Sequence, residues 1–464
     1  MFGHTFLNIN SSYNSKLLSH AINYSANVDK DTENGFLFAI KGLFGGYYGE
    51  YSLLPYYDKL KEYRDSEQRD IWEYSLNLTK NEVINMVNHI WELKSTYSNY
   101  YFFDENCSYN ILWLLEIARP TLSLREKFFY HVSPPDTIFE IVDAGLVESR
   151  SYRPSKRKVL LEYEKYLNSN DVELVQKLAS MKTDINSLLG KNRLSKRKKQ
   201  IVLESATELS EYNYIQGKIS KELYLSISYN LSQSRSHLGQ GKKLKIEKPT
   251  NPDQAHRQFS LSLGYRNQKD DLITFGLRPV YHDITNNDKG FIPGTQIEFL
   301  TPQFLYNQRT NSLKLDYLKL LTITSLAPKT KFFSPLSWRT SWKLDRESLD
   351  NNLNFSGKIS AGKSYYIGKT NFMYALADIY LYNTSYSNSA IGGTIGAILY
   401  TSDSTKLNIE SDYKIFDNKD HQKILDITQS FFIKNNIDVK FNYKYIEKNE
   451  EDQNSFNFSV HYFF

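Results

Sequence analysis

The chain is 464 residues long, with 40% hydrophobic and 23% charged residues and a net charge of +5, a balance that excludes a disordered chain. One cysteine excludes a disulfide scaffold, a cysteine-based zinc site and an iron–sulfur cluster, and no run of 18 apolar residues offers a transmembrane helix. The mean hydropathy is −0.53, yet there are 36 Tyr and 27 Phe; a membrane β-barrel reconciles the two, because polar and apolar residues alternate in its wall and aromatics collect at both interfaces.

Residues 1–150 mix strands, helices and glycine-rich turns. Met1–Asn10 and Ser19–Ala26 read as strands around the turn Ser11–Ser15. Thr79 and Glu82 form a capping box, behind which Val83, Met86, Val87, Ile90 and Trp91 recur at helical spacing, the buried stripe of an amphipathic helix. A second helix follows Asn106 and stops at Pro120. Gly42, Gly45, Gly46 and Gly49 are not followed by Lys-Ser or Lys-Thr, so they make a Gly-Tyr-rich flap rather than a phosphate loop. The histidines are scattered and no His-Glu-x-x-His occurs, so neither a metal nor another cofactor is expected.

Residues 151–218 read as a basic connector of polar helices, for example Asp171–Leu189, with few residues to build a core. Residues 151–200 hold 13 Lys+Arg against 5 Asp+Glu. No aromatic interleaving or reading motif accompanies them, so nucleic acid is not an expected partner; solvated helix faces or contact with anionic lipid headgroups fit the charge.

From residue 219 to 464 the period becomes two. Leu223, Leu225, Ile227, Tyr229 and Leu231 alternate with polar residues, as do Leu407–Ile415, Ile437–Tyr445 and Phe456–Phe464. A soluble sandwich also alternates, but here Glu, Asp and Lys keep to one face and Tyr, Phe and Leu to the other, as a wet lumen and a lipid exterior require. At roughly 20 residues per strand and connection, this length predicts an antiparallel transmembrane barrel of about twelve strands. The terminal Phe464 after alternating aromatics resembles the C-terminal signature of bacterial outer-membrane proteins.

The lone Cys107 falls in the first turn of the helix that Asp104 or Asn106 caps. A helix N-terminus favours thiolate over thiol, whereas a lone cysteine is ordinarily a buried inert one. A thiol nucleophile needs a base. His89 lies beside an apolar stripe and His131 in a loop, while His4 stands on the first strand. In a hairpin centred near Asn14, Asn23 falls across from it and orients the ring, with His20 the competing orienter.

Phe2-Gly3-His4-Thr5, Lys41-Gly42-Leu43-Phe44-Gly45-Gly46-Tyr47, Arg69–Tyr74, Asn106-Cys107-Ser108 and Arg153-Pro154-Ser155 together resemble the Lnb N-terminal periplasmic domain family. Its members include bacterial lipoprotein N-acyltransferases, and proteobacterial ones often carry a C-terminal outer-membrane barrel. The order His then Cys also resembles circularly permuted papain-like hydrolases such as NlpC-type peptidases. The resemblance implies an α+β permuted papain-like domain with Cys107 as nucleophile, His4 as base and Asn23 as third member. Family members carry a signal peptide before the first motif, which here starts at residue 2, so the natural protein is expected to extend further.

These readings together imply a periplasmic domain on an outer-membrane barrel. Its expected activity moves an acyl chain from phospholipid through a Cys107 thioester to an amine such as a lipoprotein N-terminus. Amides near Asn106, Cys107 and Ser108 would hold the oxyanion, and Glu73 and Tyr74 would line the cleft. The alternatives are a cysteine peptidase or amidase acting on peptidoglycan, and a barrel protein without chemistry.

Overall fold

The computed structural model describes residues 3–10, 18–27, 41–42, 45–128, 131–180, 185, 190, 194–268, 270–346, 352–383, 387–449 and 451–464. The expected turn at Ser11–Ser15 and part of the glycine run lie outside them. The chain forms two compact units, one from residues 4–132 and 140–249, the other from residues 250–464 with Ser133–Phe139.

In the first unit, β1 (Leu7–Ile9), β2 (His20–Ala26), β3 (Tyr47–Pro55) and β5 (Ser98–Tyr100) make an antiparallel sheet in the order β1-β2-β3-β5. A separate pair joins β4 (Ile71–Leu76) to β6 (Val147–Arg153). In β2, four successive residues (Ala21 to Tyr24) are buried, so this strand is covered on both faces. Part of that cover is helix α2 (Cys107–Ala118). Ile111, Leu114 and Ala118 pack with Ile22 and Met86, while Leu112 and Leu115 pack with Leu124 and Leu146. A helix apolar on all sides must be central to its domain, and this one carries the cysteine at its start.

Helix α1 (Lys80–Glu92) opens with the expected capping box: Thr79 N–H donates to Glu82 and Glu82 N–H to the Thr79 hydroxyl. Its expected stripe is only half buried. Met86 is enclosed, with Val83 and Ile90 against the same cluster, but Val87 is exposed and Trp91 is 73% exposed. Positions 83, 86 and 90 face α2, and 87 and 91 fall beyond the edge of that contact.

The connector departs from expectation in two ways. It has a core of its own: α3 (Lys156–Glu164), α4 (Ser169–Ser180), α5 (Lys196–Ile215) and α6 (Lys221–Ser236) bury Leu160, Val175, Val202, Leu203, Ala206 and Leu231. The helix expected at Asp171–Leu189 is α4, and most of residues 181–189 lies outside the described residues. The second departure is that the segment from residue 219, expected as the first barrel strand, is the helix α6. Ser220 caps it by accepting from Leu223 N–H. A pattern apolar at every second residue is also apolar at every fourth, which is one helix face. Ile227 and Leu231 are buried on that face, while Leu225 and Tyr229 are exposed.

The barrel therefore starts with β7 (Ser260–Asn267), not at residue 219. Next come β8 (Asp271–Arg278), β9 (Val280–His282), β10 (Thr295–Asn307), β11 (Ser312–Ser325), the short β12 (Pro328–Lys329) and β13 (Ser337–Asp345). The wall is completed by β14 (Asn354–Ile367), β15 (Asn371–Asn383), β16 (Ser389–Ser402), β17 (Thr405–Phe416), β18 (His421–Lys434), β19 (Ile437–Lys448) and β20 (Glu451–Phe463). Neighbours pair antiparallel round the whole circuit, and β20 closes on β7, Phe463 opposite Ser260. With β9 a short separate pairing on β10, the wall has twelve strands, the expected number, built from a shorter segment than residues 219–464 because its turns are tight.

Strand β17 displays the alternation. Lys406, Asp412 and Lys414 are buried inside, and Tyr413 and Ile415 are exposed outside. Phe456 and Phe458 of β20 are likewise exposed. Closure removes every sheet edge, which lets a β structure cross hydrocarbon without unpaired backbone groups. No helix among the described residues is long and apolar enough to cross a membrane. An apolar outer belt around a polar lumen is the architecture of an outer-membrane protein.

Candidate active site

Cys107 is placed by its neighbours in sequence. The Asn106 side-chain oxygen accepts from the N–H groups of Ser108 (2.9 Å) and Tyr109 (3.3 Å), the N-cap that starts α2. Its amide nitrogen donates to the carbonyls of Val132 (2.6 Å) and Phe102 (3.2 Å), which anchors the cap to the adjoining loops. Cys107, the first helical residue, is buried.

His4 lies before β1 rather than on it, because the β1–β2 pairing begins at Leu7 opposite Ile22. Its Nε2 meets the Asn23 side-chain oxygen at 2.5 Å, and the imidazole and the Cys107 thiol are near enough to shift each other's ionisation. With Nε2 engaged by Asn23, the ring nitrogen left for sulfur is Nδ1. Cys107, His4 and Asn23 are thus brought together from α2, the leading segment and β2. His20 is not the orienter: it is exposed at the start of β2, opposite Ile9 and Pro55.

The imidazole is held on its face as well as its edge. It stacks on Tyr63 (5.4 Å between centroids, 19° between planes), and Tyr63 stacks on Phe6 (5.8 Å). Tyr63 sits in a π-helical turn, Lys61–Ser66, a form that recurs at functional sites.

Charge favours a thiolate–imidazolium pair. Burial, the largest influence on Cys107, opposes ionisation. The hydrogen bond and charge of His4, the Thr5 backbone N–H and the Ser108 hydroxyl outweigh it and bring the thiol down to about 7. Burial also pulls His4 down, but its hydrogen bond to Cys107, the thiolate charge and Asn23 leave it raised above the usual imidazole value. Each group stabilises the other's charged form.

Other expected site residues fall differently. Asn106 is the helix cap, and its oxygen already takes the Ser108 N–H that was expected to hold an oxyanion. The Cys107 N–H donates to the Tyr100 hydroxyl (3.2 Å), and the Ser108 hydroxyl lies between Thr5 Oγ1 (3.1 Å) and the Cys107 sulfur (3.8 Å). Glu73 belongs to the β4–β6 pair, where it accepts from Tyr56, Ser151 (2.8 Å) and Arg153 (2.5 Å). Its link to the site runs through Tyr56, whose ring lies 6.2 Å from Phe6. Tyr74 lies opposite Arg150 in the same ladder. Gly49 lets β3 pass close over Tyr24, whose hydroxyl would meet a Cβ there at 2.2 Å.

Sequence reasoning missed Tyr63, Tyr100 and Thr5. Thr5 is adjacent to His4 and findable from that motif. Tyr63 and Tyr100 carry no signal in spacing, since only the folded sheet and the π-helical turn bring them to Cys107 and His4. Among the described residues, no cluster of His, Cys, Asp and Glu fits a metal ion.

Residues 249–463 match the family model for a domain of unknown function (DUF7840). Among solved structures, the chain is similar to the KdgM porin (13% identity, 44% of this chain and 99% of that one, TM-score 0.28). The COG4313 outer membrane channel from Pseudomonas putida F1 is similar at 12% identity, over 48% of this chain and all of that one, with a TM-score of 0.30. Curated proteins give no match. Residues 1–144, which contain Cys107, His4 and Asn23, match the family model for the Lnb N-terminal periplasmic domain, so the chain carries such a domain ahead of its barrel.

Proposed function

We propose that this protein is a thiol-dependent acyltransferase working at the periplasmic face of the outer membrane. The observation that carries the reading is the Cys107–His4–Asn23 constellation, with the thiol lowered and the imidazole raised. The Cys107 thiolate attacks an ester carbonyl of a phospholipid. The tetrahedral intermediate collapses to a thioester as the leaving alkoxide takes the proton of the His4 imidazolium. His4, now neutral, accepts a proton from an incoming amine, which displaces sulfur and leaves an amide. Asn23 holds the ring in one orientation through both halves. Splitting the transfer through a covalent intermediate replaces one hard step by two easier ones.

An amine acceptor such as a lipoprotein N-terminus agrees with the Lnb resemblance, and an outer-membrane barrel on the same chain agrees with a lipid donor. The same groups would serve a cysteine amidase if a peptide amide replaced the ester as donor and water replaced the amine as acceptor. Complementation of a strain lacking its lipoprotein N-acyltransferase, with lipoprotein N-termini read by mass spectrometry, separates the two. N-acylated termini that vanish with Cys107→Ser are expected; unacylated termini beside cleaved peptidoglycan peptides would replace the transferase by the amidase.

A further inference from the structure

An acyl-transfer site must stabilise an oxyanion, and the start of α2 does not offer its amides for that purpose. The Ser108 N–H is taken by the Asn106 side chain (2.9 Å) and the Cys107 N–H by the Tyr100 hydroxyl (3.2 Å). Tyr100 thereby becomes the distinctive group. It is buried at the end of β5, in a cluster with Tyr24 and Tyr47 that Phe102 packs against. Its ring stacks on Tyr24 at 5.8 Å and meets Phe102 edge-on at 6.0 Å, which fixes where the hydroxyl points. A phenol has one proton to give. Because its oxygen already accepts the Cys107 N–H, that proton is free to point at the Cys107 sulfur, with which the hydroxyl also interacts.

We infer that Tyr100 is a catalytic hydrogen-bond donor, its O–H serving the Cys107 thiolate at rest and the carbonyl oxygen during transfer. When Sγ bonds to the carbonyl carbon, the π pair moves onto oxygen, about one bond length and angle away from sulfur. The phenol O–H follows the charge from sulfur to that oxygen without giving up its proton. On collapse the pair returns to re-form C=O, and the leaving group takes its proton from His4. Burial and the neighbouring thiolate charge hold the Tyr100 hydroxyl well above the usual phenol range, so it stays a donor throughout. The backbone bond from Cys107 to Tyr100 also ties the donor to the nucleophile's own peptide, so their spacing does not depend on a loop.

The rate arm of this inference rests on the acyl-transfer reading, so the test has an arm independent of any substrate. In the full-length protein reconstituted with phospholipid, Tyr100→Phe keeps the ring and removes only the hydroxyl. Thioester formation at Cys107 is expected to slow by about 100-fold with KM unchanged, the size of effect found for one oxyanion donor. The thiolate, followed by its absorbance near 240 nm, is expected to appear at higher pH than in the wild type. Tyr24→Phe, which removes a hydroxyl bonded instead to Ser98 (2.6 Å), is the control for general damage to the aromatic cluster and should leave both readouts unchanged. A rate within threefold of wild type, or an unmoved thiolate midpoint in Tyr100→Phe, overturns the inference. If the wild type forms no thioester with phospholipid, the acyl-transfer reading fails while the titration still decides whether Tyr100 donates to sulfur.

Discussion

At the scale of single residues, the proposed chemistry turns on the mutual charge of Cys107 and His4. The thiol sits near 7 and the imidazole above its usual value. The active pair therefore exists above the pH at which sulfur loses its proton and below that at which His4 loses its own. Activity should fall toward acid as the thiolate is protonated, and toward alkali as the imidazolium that protonates the leaving group disappears. The chain has one cysteine, so its thiolate absorbance is read without interference from another thiol. The wild-type midpoint is expected near 7. In His4→Ala, burial is no longer outweighed, and the midpoint should rise to or beyond the ordinary thiol value of about 8.5. A midpoint that stays near 7 without His4 would assign the lowering to the helix terminus instead. Much at this scale was legible: the Asn-Cys-Ser run marks a capped helix start, and the hairpin spacing places Asn23 near His4. Tyr100 was not, because its approach to Cys107 depends on how β5 and α2 meet in space.

At the scale of elements, the segment from Lys221 to Ser236 teaches most. Its alternation satisfies a strand and a helix alike, since Leu223, Ile227 and Leu231 are both every second apolar residue and one helical face. The decision comes from the Ser220 cap and from what lies beneath. Leu231 is 0% exposed against the other connector helices, while Leu225 is 54% exposed. Leu231→Ala should accordingly cost ~3 kcal/mol of connector stability, and Leu225→Ala less than ~0.5 kcal/mol. Hydrogen exchange of α6 amides checks both; equal effects would return this segment to a two-sided strand. Strands β17 and β19 were legible because their polar faces carry charges that no helix face there repeats, and β20 because its aromatics alternate with Asn457, Ser459 and His461. The exposed edge of α1 at Val87 and Trp91 was not, since apolar spacing records a face but not how wide its partner is.

At the scale of the whole molecule, the barrel is more than a tube. The segment between β9 and β10 crosses to strands on the far side of the wall. Asp288 accepts from Lys406 (2.6 Å) and Tyr400 (2.6 Å), and Lys440 donates to Thr285 (2.6 Å) and Asn286 (2.7 Å). Arg339 of β13 bridges to Glu410 of β17 through two bonds of 2.8 and 2.7 Å. Lys406 is fully buried, so Lys406→Met leaves Asp288 without its cation in a site shut from water. That should cost ~3 kcal/mol, seen as a lower temperature for loss of the compact barrel band on heating in detergent. An unchanged temperature would mean that the Tyr400 hydrogen bond, not the Lys406 charge, is what holds Asp288. Barrel and thiol belong to one chain, and the proposed activity has this thiol take an acyl group from phospholipid. Intact-mass analysis of the full-length protein after incubation with phospholipid tests it most directly. The account predicts a mass increase of one acyl chain, located on Cys107, released by hydroxylamine and missing in His4→Ala. A wild-type protein that stays unmodified while phospholipid is present would contradict it.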